Sequence, residues 1–567
     1  MTAHPIRFGT SGWRAIIADE FTFANVRLAV AAIAEHVCSR SQKPTLIVGH
    51  DTRFFSEEFA RTAAEVLRVH GVHVLLCDAA APTPAIAHAI LRLKTDGAIN
   101  FTASHNPAEY HGIKFSGPDG APALPEVTRD IEERVARLAA KPAAAAALPS
   151  NAASDFQRIS PRDAYLARLA ELVNFDAVRQ AKLKIVCDTL HGCGAGYLDR
   201  FLATHGISAV SIRTDRDVLF DGTGPDVLEA NLAPLREAVL DRGAQVGLAT
   251  DGDADRFGIL DADGSWFAPN HVLGLLYDYL VETRGWRLPG ARSVATTHLL
   301  DGVARHYGVT VYQTPVGFKY IGELIKQDKI ALGGEESAGL SIRGHVPEKD
   351  GILAGLLVAE MVAIRRAPLG DQLKTLFSRA GAEYWPLRTN LHLSEEVKAR
   401  AVERLQGDFS VFRGRHVTQT DRTDGLKLIF EDGSWLLLRF SGTEPVVRVY
   451  TEAGSREAAA RLAEEATAWI LEATPGARSS AVSGSHTPTA PYWAWRWPRC
   501  WCTTSPARMA SWPCDALRKK SSGFAERSDR SLRKTANSMR MSRRSNLTPN
   551  SSSASRVRNW DWPGRAS

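Results

Sequence analysis

The sequence has 567 residues, 44% of them hydrophobic and 23% charged. That length exceeds a single core and points to several domains of ~100 to 200 residues, with the composition of an ordinary water-soluble globular chain. No apolar run of ~18 residues occurs, which excludes a helical membrane span, and the start shows no basic region followed by an apolar stretch, so a cytoplasmic protein is expected. The formal net charge of +6 is unevenly spread: residues 476–567 hold 17 basic and 4 acidic side chains, leaving 52 against 59 in residues 1–475. The body is therefore mildly acidic, and no nucleic-acid partner is expected for it. Only the basic, tryptophan-bearing tail favours single-strand binding. The body's cysteines, Cys38, Cys77, Cys187 and Cys193, have no metal-type spacing and are expected to be reduced, mostly buried thiols.

In chain order, one plan occurs three times: an apolar strand, a polar turn, a helix, then Gly-Val or Gly-Ile opening a second strand. The first copy runs from TLIVGHDTR (45–53) to EVLRVHGVHVLLCD (65–78), and the second from LKIVCDTLHG (183–192) to DRFLATHGISAVSI (199–212). The third, weaker copy runs from SVATTHLL (293–300) to DGVARHYGVTVYQT (301–314). Gly71, Gly206 and Gly308 sit where a helix needs a left-handed stop. Alternating strands and helices imply α/β domains with largely parallel sheets.

Each copy continues into a further apolar strand that ends in a polar loop: GAINFTASHNP (97–107), QVGLATDGDADR (245–256) and IALGGEESAG (330–339). Ligand sites of open α/β sheets form beyond the carboxyl ends of strands. The three loops are therefore expected to face a common cleft. After Ala367 and Pro368 the pattern changes to a segment that ends in SWLLLRFSGTEPVVRVYTEA (434–453) and a helix near 456–472, which reads as a small α+β domain. The expected divisions are 1–150, 151–258 and 259–370 for three similar α/β domains with mostly parallel sheets, 371–475 for the α+β C-terminal domain, and 476–567 for a disordered tail. The tail's 18 Ser and seven Trp show no amphipathic period, a mixture that fits translation in a shifted frame.

Four loops carry chemistry. Ser104 follows a strand end and precedes a Pro, with His105 and Lys114 near it to handle protons or phosphate charge. A loop serine that only satisfies backbone groups is the competing reading, and no GxSxG elbow is present for serine-hydrolase chemistry. DGDADR sets Asp251, Asp253 and Asp255 at spacing two, a density of hard oxygen donors that suits Mg²⁺, and Arg256 adds a cation for phosphate. GGEES offers Glu335 and Ser337 to sugar hydroxyls after two glycines, though Glu-Glu-Ser is also a common helix start. Downstream, GHVPEKDG adds His345 and Lys349, either able to act as acid or base. RFSGTEPVVR places Ser441, Gly442 and Thr443 between Arg439 and Arg448, a set able to grip a phosphate dianion or else an ordinary surface hairpin.

Together these loops, in this order, resemble the α-D-phosphohexomutase superfamily over about residues 6–470. FGTSGWR (8–14) matches a further signature, in which the arginine, here Arg14, lies near the active serine. The resemblance implies four domains around a deep cleft. It implies a phosphorylated Ser104, and Mg²⁺ held by Asp251, Asp253, Asp255 and the phosphoserine oxygen. Glu335 and Ser337 would hold sugar hydroxyls, and Arg439, Ser441, Gly442, Thr443 and Arg448 the non-reacting phosphate. Lys114, Lys349 and His105 match positions tied to proton transfer or charge stabilisation. The implied reaction passes the phosphoryl group from Ser104 to a hexose monophosphate and returns the other one, through a bound hexose 1,6-bisphosphate. Positioning and charge neutralisation dominate such transfers. GEES with TPVGFKY (314–320), including Thr314 and Gly317, looks more like the glucose-using members, with mannose accepted. A glucosamine or pentose mutase is the alternative within the class, and a metal-dependent phosphatase the alternative outside it. The oligomeric state, monomer or dimer, is left open.

Overall fold

The computed structural model describes residues 6–9, 11–140, 156–440 and 446–472, and the tail at 476–567 lies outside them. The first sheet draws on β1 (Trp13–Ile16), β2 (Thr45–His50), β3 (His73–Cys77), β4 (Ala98–Phe101), β5 (Tyr110–Ser116) and β6 (Gln157–Ile159), in the order β1-β5-β4-β2-β3-β6. The second contains β7 (Lys184–Asp188), β8 (Ser208–Ile212), β9 (Val246–Thr250), β10 (Phe257–Asp261) and β11 (Trp266–Phe267), ordered β11-β10-β9-β7-β8. The third contains β12 (Gly290–Ser293), β13 (Val311–Thr314), β14 (Leu332–Glu335) and β15 (Gly339–Ile342), ordered β13-β12-β14-β15.

The sequence repeat is a topological repeat. In β3-β2-β4-β5, β8-β7-β9-β10 and β13-β12-β14-β15 the first three strands run parallel and the fourth returns antiparallel. The sheets are therefore mixed. Strands buried on both faces, such as β9 with all five residues buried, read as unbroken apolar runs because helices cover each side. The returning strand places each polar loop at a hairpin turn at the carboxyl end of a parallel strand. Gly71, Gly206 and Gly308 adopt φ of +80°, +69° and +68°, the left-handed stops expected of them.

Some elements lie across or beside the expected divisions. In the third copy the strand is β12, which ends at Ser293, so most of SVATTHLL is a turn leading to the helix Leu299–Tyr307. β6 joins the first sheet beyond residue 150, and β10, which spans residue 258, and β11 complete the second. The helix Leu369–Ala380 packs Leu369, Leu373, Leu376 and Phe377 into the core around Leu273 and Leu299, although the pattern changes at Pro368. β6, of three residues, and β11, of two, are too short to show a sequence period, and only their pairing assigns them.

The fourth sheet is antiparallel and holds β16 (Trp385–His392), β17 (Val411–Phe412), β18 (Arg415–Asp421), β19 (Leu426–Phe430), β20 (Trp435–Phe440) and β21 (Val446–Ala453), ordered β16-β21-β20-β19-β18-β17. One face packs Leu436, Leu438, Val447 and Val449 under Leu462 and Ala466 of the helix Arg456–Leu471. Ser455 caps that helix by accepting from the Ala458 amide at 3.1 Å, a contact worth about 1 kcal/mol. The other face sets Trp435, Leu437 and Tyr450 against Val294 and Ala295 beyond β12. Among the described residues there is no disulfide: Cys77, Cys187 and Cys193 are buried thiols and Cys38 is exposed. No described helix is long and apolar enough to cross a membrane.

Candidate active site

Ser104 lies at the β4–β5 turn in the left-handed region, φ 53°, and is 1% exposed. A non-glycine residue persists there only where its surroundings hold it. The hold is visible. The Ser104 amide donates to Thr102 Oγ1 at 2.8 Å, and the fully buried Arg53 donates to the carbonyls of Ser104 (2.7 Å), Pro107 (2.7 Å) and Tyr110 (3.0 Å), and also to that of Asn106. Asp51 neutralises Arg53, with Nε donating to Oδ2 at 3.1 Å. Arg53 was not singled out from sequence; the available signal was a charged pair, Asp51 and Arg53, directly after a buried strand.

The second loop docks against the first. The Ser104 hydroxyl donates to Asp251 Oδ2 at 2.7 Å. Gly252 is required at the junction, since a Cβ there would stand 2.5 Å from the Ser104 carbonyl oxygen. Asp251, Asp253 and Asp255 are fully buried and offer oxygens within 4.8 Å of one another. Lys114 on β5 donates to Asp253 at 2.6 Å and to Asp255 at 2.7 Å, while Lys349 reaches Asp255 at 2.7 Å. Thr83, also not anticipated, donates its hydroxyl to Asp253. Lys349 is delivered by the turn before the helix Gly351–Arg365. There a Cβ on Gly351 would stand 2.1 Å from the Arg256 carbonyl oxygen, so glycine alone permits the approach.

Burial and charge set the protonation states. Burial raises Asp251 well above the usual carboxylate range, and the neighbouring Asp253 and Asp255 add to it. Burial works against ionised Asp255, yet Lys114 and Lys349 outweigh it and hold its carboxyl low. His105, whose Nδ1 lies 3.4 Å from the Ser104 hydroxyl, is kept neutral by burial, reinforced by Arg256, Arg14, Lys349 and Lys114. The donor set fits a hard divalent cation: all ligand atoms are oxygens, and the buried Asp253 Oδ1 and Asp255 Oδ1 have no hydrogen-bond partner.

Arg14 on β1 donates to Asn106 in the serine loop, so the structure brings it beside Ser104. Arg256 lies 3.6 Å from Asp226. Glu335 ends β14 and accepts from the Gly317 amide at 2.7 Å, so these two expected sugar-site residues meet. Burial, then the adjacent Glu336, pushes the Glu335 carboxyl up to about 7. Thr314 turns its hydroxyl to the Pro315 carbonyl, and Ser337 is half-buried in the β14–β15 turn.

His345 lies in the turn before the helix Gly351–Arg365. Its Nε2 meets Asp350 Oδ2 at 2.7 Å in a fully buried pair, and Tyr165 donates to the same carboxylate at 2.8 Å. Asp350 also caps the helix Gly351–Arg365 through the Leu353 amide. The imidazole therefore braces the turn that carries Lys349 through Nε2, while its buried Nδ1 has no hydrogen-bond partner. Sequence spacing could not separate these roles.

In the fourth domain Arg439 on β20 and Arg448 on β21 are cross-strand partners and share one face with Arg388 and Tyr450. Arg439 Nε donates to Asp424 at 2.9 Å, and Asp424 in turn accepts from the Val316 amide at 3.1 Å, tying the arginine pair to the loop before Gly317. Asp424 and Arg388 had escaped the sequence reading. Ser441, Gly442 and Thr443 lie outside the described residues.

Comparison with known proteins follows this geometry. Family models of phosphoglucomutase/phosphomannomutase alpha/beta/alpha domains I, II and III match residues 5–141, 163–264 and 268–380, and the C-terminal domain model matches 389–468. The chain is 30% identical over 472 residues to a Thermococcus kodakarensis phosphoglucomutase/phosphomannomutase, covering 83% of this chain and 99% of the relative. It is 32% identical to a Frankia casuarinae phosphoglucosamine mutase over the same shares of the two chains. A crystal structure from Thermus thermophilus, provisionally assigned as a phosphomannomutase, superposes with TM-score 0.71 at 33% identity, covering 83% of this chain and all of the other.

Proposed function

Because the chain belongs to the phosphoglucomutase/phosphomannomutase family of intramolecular phosphotransferases, we propose that it interconverts hexose 1-phosphate and hexose 6-phosphate, with glucose the preferred sugar, mannose accepted and Ser104 the phosphoryl carrier. The carrying observation is the Ser104 hydroxyl, 2.7 Å from Asp251, at the mouth of a buried carboxylate cluster already facing two lysines.

In the forward half-reaction the bond from Ser104 Oγ to phosphorus breaks as the sugar hydroxyl oxygen bonds to phosphorus. The hydroxyl proton ends, net, on Ser104 Oγ, where Asp251 accepts the O–H. Reorientation of the bound 1,6-bisphosphate presents the other phosphate, and the reverse transfer regenerates phosphoserine. Mg²⁺ held by Asp251, Asp253, Asp255 and the phosphoserine would supply Lewis-acid charge on the transferring phosphoryl oxygens. Lys114 and Lys349 neutralise the same region from the chain's own side, and Arg14 and neutral His105 flank the serine. Glu335, with Gly317, Thr314 and Ser337 around it, is assigned to the sugar hydroxyls. Arg439 and Arg448, with Ser441, Gly442 and Thr443, are assigned to the phosphate that is not reacting, and Arg256 to the one beside the carboxylates.

The sugar preference is supported by GEES together with TPVGFKY. A coupled assay on glucose 1-phosphate, mannose 1-phosphate and glucosamine 1-phosphate, with Mg²⁺ and a trace of hexose 1,6-bisphosphate, tests it. Glucose 1-phosphate should turn over fastest. Preference for glucosamine 1-phosphate overturns the sugar assignment, and inorganic phosphate released in step with substrate loss overturns the mutase reaction.

A further inference from the structure

The Asp253 carboxylate is gripped at one oxygen only. Its Oδ2 accepts from Lys114 at 2.6 Å and from the Thr83 hydroxyl, while its buried Oδ1 has no hydrogen-bond partner among the described residues. The Thr83 amide also donates to the Asp253 carbonyl at 3.0 Å, so one residue holds both the side chain and the backbone of the aspartate. Thr83 opens the helix Thr83–Leu93 directly after Pro82. There an amide has no acceptor within the helix, and the positive end of the helix dipole favours a carboxylate. Thr83 is buried, and it reaches from the first domain to a loop of the second that lies 170 residues further along the chain.

Behind Thr83 stands Asn100, whose Nδ2 donates to Thr83 Oγ1 at 3.0 Å. The direction of this relay is fixed. Oδ2 of Asp253 already accepts from an ammonium, so Thr83 gives its only proton to the carboxylate and receives at its own oxygen; the Asn100 group that faces it is therefore the NH₂. Asparagine is depleted in strands, yet this one is buried within β4 with its Oδ1 unpartnered among the described residues. A buried acceptor left unsatisfied is destabilising, so an apolar side chain of similar size would suit the sheet better. Asn100 thus answers to the Thr83 hydroxyl and not to the fold. It is also the cross-strand partner of Lys114, so β4 and β5 deliver from facing positions the two side chains that set Oδ2.

We infer that Thr83 and Asn100 are positioning residues for this carboxylate: a relay from Asn100 to Thr83 to Asp253 that fixes the carboxylate plane and leaves Oδ1 as the oxygen offered to the cation. The inference rests on the assignment of Asp251, Asp253 and Asp255 to Mg²⁺. Three carboxylates packed together repel one another, and Lys114 offsets their charge. An ammonium on a flexible stem is a point charge with rotating donors and does not fix a plane. A hydroxyl held at its own oxygen and anchored by its backbone does. Partners behind a metal ligand set its orientation, and their loss weakens metal binding by about 10- to 100-fold.

The test uses the full chain and Mn²⁺, which accepts the same oxygen ligands as Mg²⁺ and whose free ion is counted by electron paramagnetic resonance. Thr83→Val keeps the shape and deletes the hydroxyl. It should bind Mn²⁺ about 10- to 100-fold more weakly than the wild type, and the Mg²⁺ concentration for half-maximal mutase rate should rise by the same factor. Thr83→Ser restores the donor and should recover most of the affinity. Asn100→Leu should weaken binding in the same direction by less, with a denaturant midpoint at or above that of the wild type. Wild-type affinity in Thr83→Val, or an equal loss in Thr83→Val and Thr83→Ser, overturns the relay. Asn100→Leu decides the matter if Thr83→Val fails to fold, and unchanged affinity there overturns it too. Asp253→Asn separates the relay from the assignment beneath it. If that variant also binds Mn²⁺ as the wild type does, the carboxylate assignment falls with the relay; a loss confined to Asp253→Asn removes Thr83 and Asn100 alone.

Discussion

The Ser104 hydroxyl and the Asp251 carboxylate, 147 residues apart in sequence, share a hydrogen bond of 2.7 Å. The bond joins the hairpin turn of the first sheet to that of the second and makes the serine part of the carboxylate cluster. Ser104→Ala should keep the fold and lower turnover by ~10³-fold or more, as loss of a covalent carrier does. Intact-mass and peptide analysis of the active wild type should place phosphate on Ser104. Full activity in the alanine variant, or phosphate found only elsewhere, removes this serine from the reaction.

Asp253→Asn deletes one of three carboxylates facing Lys114 and Lys349. Turnover should fall about a hundredfold, the scale of losing one group aimed at transition-state charge, and the Mg²⁺ concentration for half-maximal rate should rise. Steady-state kinetics against Mg²⁺ measure both. A variant with wild-type kinetics in Mg²⁺ and in chelator alike would disprove the metal assignment.

Gly252→Ala places a methyl group 2.5 Å from the Ser104 carbonyl oxygen. The methyl would meet a backbone oxygen and a Cβ has no rotamer to escape by, so the two loops must part. A stability loss of about 1–3 kcal/mol is expected, with a larger relative loss in kcat than in KM. Denaturant unfolding and steady-state assays report the two effects, and an unchanged kcat would show that the loops need not touch.

Arg53→Met leaves Asp51 buried without its partner and releases the carbonyls of the serine loop. The cost should be about 3–5 kcal/mol, as for breaking a buried ion pair from one side. Adding Asp51→Asn should restore part of the stability while leaving activity low, because the bracing donors stay absent. Recovery of both together would show that Arg53 acts only as a counter-ion.

His271, buried beside Phe377 and Trp385 and bonded to the Tyr384 carbonyl at 2.7 Å, has its pKa lowered to about 4 by burial. Below the ordinary 6.5 the unfolded chain takes up a proton that the folded chain refuses, so this group's stabilisation is complete above about 6.5 and is lost as pH falls toward about 4. Relative to His271→Gln, the wild type should lose about 3 kcal/mol across that interval. Chemical unfolding at several pH values checks this. Parallel stability curves for the two proteins would show that the imidazole titrates normally when folded.

Sequence alone determined what depends on near neighbours. Apolar runs marked β2, β4, β7 and β9, the left-handed glycines marked the helix ends, and the crowding of Asp, Ser, Glu and Arg after strand ends marked the loops that matter. These patterns repeat every two to four residues, so the chain displays them before it folds. Tertiary structure decided whatever depended on docking. Only the return of β5 and β10 as hairpin strands set Ser104 against Asp251, and only the packing of the helix Gly351–Arg365 on the Arg256 backbone brought Lys349 to Asp255. His345 and Arg53 make the same point in opposite directions. The histidine stands in a motif, yet Asp350 and Tyr165 claim it; the arginine stands outside the expected set, yet four carbonyls of the serine loop converge on it. A side chain's partners are fixed by which surfaces meet, and residues distant in sequence meet only when burial of the apolar faces beneath them forces the approach.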